Sequence, residues 1–507
     1  MGRKILFITT DQQRYDSLGC NGGTIARTPV LDALAAQGIN YSRAMNQNVV
    51  CMPARSTMIT GQYVRTHGVF ANGVPLPEDA PSVAAELHNH GYRTALLGKA
   101  HFEPAFDLAG RWPENRLARD GETGPHRGFD HMELAMHGPQ PLWHYGLWLR
   151  DQPGRHQDDF YRLFKSETEL NDEGGGDTGA CQLKVNPIPR ELYHTEWTAQ
   201  RAMAWLDSLE ADDDWFCWVS FPDPHHPWDP PSSELGRVNW RDLDLPDGHP
   251  GSPQACRAIL EKRPRHWIEY YEGSHSNLEG GPAHFIPEQM THDQVREVNA
   301  YTHIENELID EAVGSILACV ERRGWGSDTD VIFTTDHGEL QGDFGLLFKG
   351  PYHCEALMHL PMIWRPAPSA GVTPAQLTEP VGQLDLAPTF CSIAGIPVPD
   401  WIEGRPLPTD SDPDRERVIT EWDSQFDSEG LHLRSLCRDN WLLTAYEAGG
   451  IYDGTEGELY DLVEDPRQWH NRWDDPAFAS LRSDLVADLY DHLPPERQPR
   501  LSVEAPV

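Results

Sequence analysis

Several short apolar runs of strand type are followed directly by polar residues, and helical segments separate the runs. The first run ends at Asp11-Gln12 and the last at Asp336-His337. Strands that alternate with helices predict a mostly parallel, doubly wound α/β sheet, in which ligands bind at the carboxyl ends of the strands. Both polar pairs are therefore expected at one edge of the sheet. The predicted strands are residues 4–10, 94–97, 215–221 and 330–335.

The helices between these strands carry their own start and stop signals. Thr28 is a predicted N-cap, Pro29 takes the first helical position and Gly38 ends that helix. The longest helical pattern has a broad apolar stripe, as expected of a helix packed against a core. The further predicted helices cover residues 82–90, 195–209 and 293–323.

Two stretches, residues 104–190 and 232–290, show no sustained hydrophobic period. Because long irregular loops are usually functional or disordered, we expect the first to cover the site or to join the subunits of a homo-oligomer. Residues 397–416 are rich in proline and aspartate and predict a linker. The chain is thus divided into a main domain, 1–410, and a smaller C-terminal α+β subdomain, 411–507.

Residues 51–61, CMPARSTMITG, predict a helix with a cysteine at its N-terminus. Pro53 suits the first turn because no backbone donor is needed there, and Gly61 can end the helix in a left-handed conformation. Arg55 follows Cys51 by one turn and lies on the same face. A helix N-terminus favours negative charge, so this arrangement suits attack on an oxyanion ester. Taken alone, a single cysteine such as Cys51 is more often a buried structural residue, with Arg55 at the surface.

Asp11, Gln12, Asp336 and His337 form a candidate metal set of two carboxylates, an amide oxygen and an imidazole. Oxygen ligands suit Ca²⁺, Mg²⁺ or Mn²⁺, and the imidazole favours Mn²⁺. One divalent ion, Ca²⁺ or Mn²⁺, is the predicted cofactor. A helix cap or a surface turn is the alternative interpretation of each pair. The position of both pairs directly after buried strands favours the metal site.

The charge and composition of the 507 residues exclude some classes of partner. With 39% hydrophobic residues the chain can bury a large core, and its formal charge of −38 argues against nucleic-acid or anionic-membrane partners. An anionic substrate would need local cations. The first apolar run is too short for a signal core or a membrane span, and nine scattered cysteines fit a reducing compartment. We therefore expect a cytoplasmic protein.

The C-x-P-x-R pattern from Cys51 to Arg55, followed by Thr60-Gly61, resembles the signature of type I sulfatases of the alkaline-phosphatase-like superfamily. The resemblance implies that Cys51 is oxidised to formylglycine by a formylglycine-generating enzyme that reads Pro53 and Arg55. Residues 91–102, GYRTALLGKAHF, resemble the family's second signature.

The same resemblance implies a role for each further candidate residue. Lys99 would bridge formylglycine and the substrate oxyanion, and His101 would hydrogen-bond a hydroxyl of the aldehyde hydrate. His225 would be the general acid, with His226 as the competing assignment. Lys349 would be the second sulfate-binding lysine. Asn72, in the turn-rich loop 70–75, is a candidate substrate-binding residue. Asp336 would help to remove the proton of the attacking hydroxyl. Residues 457–466 resemble the family's final sheet, which is expected to be antiparallel here.

These features predict hydrolysis of a small anionic substrate, a sulfate ester, in the manner of arylsulfatases. The Asp-Gln and Asp-His pairs resemble choline-sulfatase-like enzymes and phosphonate monoester hydrolases. A phosphonate monoester or phosphodiester hydrolase is therefore the first alternative, and an inactive, anion-binding relative is the second. Lys99 and His101 favour the sulfatase.

Overall fold

The computed structural model describes residues 3–105, 107, 109–137, 143–154, 174–275, 284–424 and 430–505. Within these residues the strands are β1 Lys4–Thr10, β2 Ile39–Tyr41, β3 Ala44–Met45, β4 Arg93–Gly98, β5 His131–Leu134, β6 Trp215–Ser220, β7 Thr329–Thr335, β8 His359–Leu360, β9 Met362–Arg365, β10 Ala375–Leu377, β11 Val381–Gly382, β12 Arg417–Asp423, β13 His432–Arg438, β14 Trp441–Tyr446 and β15 Gly457–Asp461.

The central sheet has eight strands in the order β10-β2-β9-β7-β1-β6-β4-β5. Neighbouring strands from β7 to β5 run parallel, and β9 is antiparallel to both of its neighbours. Two short strands, β3 and β8, join β11 in a separate three-stranded sheet. The predicted mostly parallel α/β sheet is confirmed.

Helices cover both faces of the central sheet. Successive residues of β1 point to opposite faces, and the residues on each face pack in a separate core. Ile5 and Phe7 pack in one core with helices Cys51–Thr60 and Leu386–Ala394. Leu6 and Ile8 pack in a second core with helices His194–Ser208 and His292–Arg322. The other α-helices of the described residues are Pro29–Gln37, Val64–His67, Val83–Asn89, Pro113–Asp120, His144–Arg150, Pro253–Leu260, His266–Glu272, Glu355–Met358 and Ala479–His492.

The C-terminal strands β12 to β15 form the expected antiparallel sheet. Helix Ala479–His492 packs on one face of it. The opposite face shares a core with Val49 and Val50, the two residues that precede Cys51. The backbone N–H of Glu421 also donates to the carbonyl of Gln47, at 2.9 Å. The smaller sheet therefore supports the segment that leads into the helix of Cys51.

Three details differ from the sequence-based predictions. Thr28 precedes helix Pro29–Gln37, but its hydroxyl makes no capping bond and instead donates to Asp32, at 3.2 Å. The stretch 104–190 contributes β5 to the edge of the central sheet, and both stretches predicted to be irregular contain short helices. Helices Pro113–Asp120 and Pro253–Leu260 are each only 8 residues long, so a hydrophobic period cannot be sustained over either of them. Residues 138–142, 155–173 and 276–283 of these stretches lie outside the described residues.

No disulfide joins any of the nine cysteines, all of which lie in the described part of the chain. No helix among the described residues is both long enough and apolar enough to span a membrane.

The end of β4 offers a test of how tightly the strand ends are packed. Gly98 has a φ of +105°, and a Cβ there would lie 1.9 Å from the carbonyl oxygen of Ser220. Gly91, before the same strand, has a φ of +92° but open space around it. Both alanine variants carry backbone strain, but only Gly98→Ala forces two backbones apart. We expect Gly98→Ala to lower the free energy of unfolding by at least about 2 kcal/mol more than Gly91→Ala, measured by denaturant unfolding. Equal losses would show that β4 and β6 separate easily.

Candidate active site

The register of the central strands brings the predicted residues to one edge. Thr10 of β1 pairs with Thr335 of β7, so Asp11 and Asp336 follow at the same level. Gly98 pairs with Ser220, which places Lys99 beside them. The polar groups therefore meet because parallel strands end together, as the sequence analysis predicts.

Cys51 is the first residue of helix Cys51–Thr60, which ends at Gly61 with a φ of +63°. Asn72 supports the first turn of this helix, because its Oδ1 accepts from the backbone N–H of Met52, at 2.9 Å. Asn72 thus helps to hold the helix N-terminus, and its substrate-binding role stays a prediction.

The Cys51 thiol lies in a fully buried polar cluster. Its Sγ is 3.2 Å from Nε2 of His337, 3.6 Å from Oδ1 of Asp11 and 3.6 Å from Nζ of Lys99. Burial and the Asp11 carboxylate raise the pKa of the Cys51 thiol to about 12. The unmodified thiol is therefore protonated and is a poor nucleophile near neutral pH.

Arg55 is committed to the scaffold of the cluster. Its Nε donates to Oδ2 of Asp336, at 2.9 Å, and one terminal nitrogen donates to the carbonyl of Lys99 and to the hydroxyl of Ser220, each at 2.8 Å. The other terminal nitrogen is buried and has no hydrogen-bond partner among the described residues. The guanidinium therefore ties the helix of Cys51 to three strand ends.

Asp11, Asp336 and His337 offer a set of ligand atoms that suits a divalent cation. Their ligand atoms and Sγ of Cys51 all lie within 4.8 Å of one another. Nδ1 of His337 is 2.9 Å from the carbonyl of Gly338, so it carries the hydrogen and leaves the lone pair of Nε2 directed at the cluster. Burial lowers the pKa of His337 to about 4, which keeps the ring neutral as a ligand requires.

The ionised state of Asp11 also suits a cation. Burial alone would raise the pKa of Asp11, but Lys99 and Arg55 outweigh it and hold that pKa well below its usual range. Lys99 contacts Oδ2 of Asp11 directly. The predicted metal residues Asp11, Asp336 and His337 therefore lie together, with Asp11 ionised and His337 neutral as a cation site requires.

Gln12 lies beside this group, but its side chain points elsewhere. Its backbone N–H donates to Oδ1 of Asp336, at 3.1 Å, whereas its side-chain oxygen accepts from Nζ of Lys349, at 2.7 Å. Its side-chain nitrogen contacts Glu339 and lies 3.1 Å from Nδ1 of His226. The amide thus connects the metal residues to Lys349, and its own ligation of a metal stays a prediction.

His225 and His226 occupy different hydrogen-bonding positions. Nδ1 of His225 contacts the carbonyl of His226, so it carries the hydrogen, and Nε2 accepts from Nζ of Lys349, at 2.6 Å. Burial and the neighbouring His137 hold the pKa of His225 well below its usual range. His226, by contrast, is engaged with Gln12. His225 is therefore the histidine that faces a cationic group.

His101 is buried next to Lys99 in a left-handed conformation, with a φ of +57°. Its Nδ1 has no hydrogen-bond partner among the described residues. Burial and Lys99 hold the pKa of His101 well below its usual range. A neutral imidazole with an unused nitrogen is therefore available next to Lys99.

The structure adds two residues that the sequence analysis does not single out. The ring of His137, which follows β5, stacks on that of His225 with centroids 3.6 Å apart and planes 12° apart. Glu339 is 1% exposed and accepts from Gln12. His137 comes from a stretch without a sequence pattern. The only signal for Glu339 was its place two residues after His337.

Comparisons with known proteins show the family of the chain. The Sulfatase family model matches residues 3–396, and the model named N-sulphoglucosamine sulphohydrolase, C-terminal, matches residues 342–493. The chain is 25% identical to an uncharacterized sulfatase, YidJ, of Escherichia coli, over 97% of this chain and 88% of that one. It is also 25% identical to an arylsulfatase of Clostridium perfringens, over 96% and 95% of the two chains.

Among solved structures, the phosphonate monoester hydrolase of Agrobacterium radiobacter superposes with a TM-score of 0.77, at 23% identity and over 96% of this chain and 95% of that one. The fold and the buried Cys51 cluster define a hydrolase of the alkaline phosphatase superfamily. The chain belongs to the sulfatase family.

Asp336 gives a direct test of the metal group. Asp336→Asn removes the charge that faces His337 and Arg55, so we expect it to lower the amount of divalent metal bound per chain, measured by elemental analysis of purified protein. Asp330→Asn is the matched control, because Asp330 is equally buried at the opposite end of β7 and pairs with Arg3, at 3.2 Å. Equal metal content in both variants would place the ion elsewhere.

Proposed function

We propose that the chain hydrolyses sulfate esters of the arylsulfatase type, with formylglycine derived from Cys51 and one divalent ion, Ca²⁺ or Mn²⁺. The observation that carries the proposal is the meeting of Cys51 with Lys99 and His337 at a helix N-terminus. The fully buried cations Lys99 and Arg55, next to a helix N-terminus, are suited to an anionic ester.

The modified residue and the ion would supply the chemistry that the thiol lacks. A hydrated aldehyde at position 51 would provide an oxygen nucleophile and a second hydroxyl for release of sulfate. The ion, held by Asp11, Asp336 and His337, would act as a Lewis acid toward the transferring group.

The residues of the chain have separate tasks around that nucleophile. Asp336 binds Arg55 and receives the N–H groups of Gln12 and His337. Oδ1 of Asp11, by contrast, faces Sγ of Cys51. We therefore assign the proton acceptor of the attack to Asp11 rather than to Asp336. Lys99 and Lys349 neutralise the oxyanion.

His225 is assigned to the departing oxygen. Its Nε2 accepts from Nζ of Lys349, at 2.6 Å, whereas Nδ1 of His226 faces the amide of Gln12. A proton on the Lys349–His225 pair is therefore adjacent to the bound oxyanion and available for the leaving group. His101 would orient the second hydroxyl through its unused nitrogen.

A phosphonate monoester or phosphodiester hydrolase is the second candidate, and Gln12 and His337 favour it because this pair resembles that branch. The presence of Lys99 and His101 favours sulfate esters. The two candidates share the nucleophile and the metal, so activity on both substrate classes is compatible with the site. We also propose that the protein is cytoplasmic and that it forms a homo-oligomer.

The nucleophile can be tested by mass. The peptide that contains residue 51 should be about 18 Da lighter in active protein than its cysteine form, since a carbonyl oxygen replaces the thiol and a hydrogen. Peptide mass spectrometry on protein from the native host is the measurement. Full activity from protein with an unmodified thiol would exclude this mechanism.

The substrate class can be tested with metal-replete protein on a panel of aryl sulfates, alkyl sulfates, phosphonate monoesters and phosphodiesters. We expect the highest kcat/KM on a sulfate ester, because the pair of Lys99 and His101 resembles that of sulfatases. A higher kcat/KM on a phosphorus ester would select the second candidate. The absence of turnover on every ester, with formylglycine present, would select the inactive relative.

The leaving-group role of His225 predicts a substrate-dependent effect. His225→Ala should slow a poor leaving group, such as an alkyl sulfate, by a factor on the order of 10²–10⁴, and a nitrophenyl sulfate much less. His226→Ala is the control and should affect both substrates alike, because it acts through positioning. Equal losses on both substrates in His225→Ala would remove the acid role from His225.

A further inference from the structure

Glu339 is a fully buried carboxylate that the proposed reaction does not use. One of its oxygens accepts from the side-chain nitrogen of Gln12, and the other accepts from the backbone N–H of Gln341, at 3.1 Å, and of Phe348. A buried carboxylate is costly unless its lone pairs are satisfied. Here three donors satisfy it. Two of them adjoin Lys349: Phe348 precedes it in the sequence, and Gln12 accepts from its ammonium.

The chemistry of its two neighbours fixes the orientation of the Gln12 amide. An ionised carboxylate only accepts, so the NH₂ group of Gln12 faces Glu339 when Glu339 is charged. An ammonium only donates, so the amide oxygen must face Lys349, at 2.7 Å. Both ends require the same orientation, which therefore does not depend on how the amide atoms are assigned. The hydrogen bonds among these three side chains therefore run in one direction: Lys349 donates to Gln12, and Gln12 donates to Glu339.

Glu339 also holds the backbone next to Lys349. Phe348 adopts a left-handed φ of +72°, and its N–H donates to Glu339. Lys349 is therefore constrained at both ends: its ammonium through Gln12, and its backbone through the neighbouring Phe348. The same ammonium lies 2.6 Å from Nε2 of His225.

We propose that Glu339 is a positioning residue that orients the Gln12 amide and, through it, places the Lys349 ammonium for an oxyanion. The inference rests on the proposed function in one respect, the assignment of Lys349 to the oxyanion. It differs from a metal-binding role, because the hydrogen bonds of Glu339 in the described part of the chain go to Gln12 and to backbone N–H groups.

Glu339→Gln tests this inference. The new amide cannot accept from all three donors, so the Gln12 amide loses its orientation and turns an N–H toward Lys349. We expect the dissociation constant for inorganic sulfate and the KM for a sulfate ester to rise by about tenfold or more, since a hydrogen bond to a charged group is lost. The kcat for a nitrophenyl sulfate should change less, and the bound metal per chain should stay constant.

Glu297→Gln is the matched control. Glu297 is also 1% exposed, and it lies on helix His292–Arg322, away from the residues of the proposed mechanism. Its carboxylate accepts hydrogen bonds from the backbone N–H groups of Asp177, at 2.7 Å, and Thr178, at 2.8 Å. It should leave sulfate binding unchanged. A similar loss of sulfate binding in both variants would show a general effect of removing a buried carboxylate and would overturn the proposal.

Coupling to Gln12 provides the second measurement. If Glu339 acts through Gln12, the double variant Gln12→Ala/Glu339→Gln should bind sulfate no more weakly than Gln12→Ala alone. Multiplicative losses would show that the two residues act separately. If Glu339→Gln fails to fold, Gln12→Ala still tests the hydrogen bonds that link Glu339 to Lys349, because loss of the Gln12 amide should itself weaken sulfate binding.

Calorimetry with inorganic sulfate and phosphate needs no turnover, so its outcome is independent of the substrate panel. Wild-type protein that binds these anions without hydrolysing sulfate esters would contradict the proposed function and leave the role of Glu339 measurable. Wild-type protein that binds neither anion, unaltered binding in Glu339→Gln, or metal loss in Glu339→Gln would overturn the inference.

Discussion

The buried ion pair between Arg55 and Asp336 holds the site together. Neither side chain is exposed, and their Nε and Oδ2 atoms are 2.9 Å apart. Such a pair costs less free energy when most of its remaining donors and acceptors are satisfied, and here one terminal nitrogen of Arg55 has no partner among the described residues. The Asp336 carboxylate receives two backbone N–H groups, and Arg55 reaches Lys99 and Ser220. One interaction therefore fixes the helix of Cys51 relative to the ends of four strands, β1, β4, β6 and β7.

Buried cations would allow a chain with a formal charge of −38 to bind the anion proposed above. Arg55, Lys99 and Lys349 are all buried, so their fields are screened little by water or salt. Asp11 and Asp336 compensate part of that charge and, with His337, retain the geometry of a cation site. The acidic surface is screened at larger distances, and the short-range field of the buried cations decides what binds.

The sequence predicted those parts of the site that follow from local rules. The strands that precede Asp11 and Asp336 had to end at the same edge once the sheet was parallel. Cys51 had to lie at the start of its helix, because Pro53 marks the first turn and Gly61 marks the end. The directions of side chains were not predictable. Gln12 was assigned from its neighbour Asp11, yet its amide turns to Lys349, a contact between residues 337 positions apart. Likewise, β5 and His137 come from a stretch without a hydrophobic period, because a short edge strand leaves little pattern.

Burial has opposite effects on the two partners of the proposed reaction. It raises the pKa of the Cys51 thiol to about 12, so a thiolate would be costly here even with Lys99 at 3.6 Å. The same exclusion of water strengthens every contact between an oxyanion and the fixed cations, which need no reorganisation when charge develops. A neutral nucleophile that loses its proton only as it attacks gains from the second effect without suffering from the first. The environment of residue 51 therefore favours a hydroxyl over the thiol that the gene encodes.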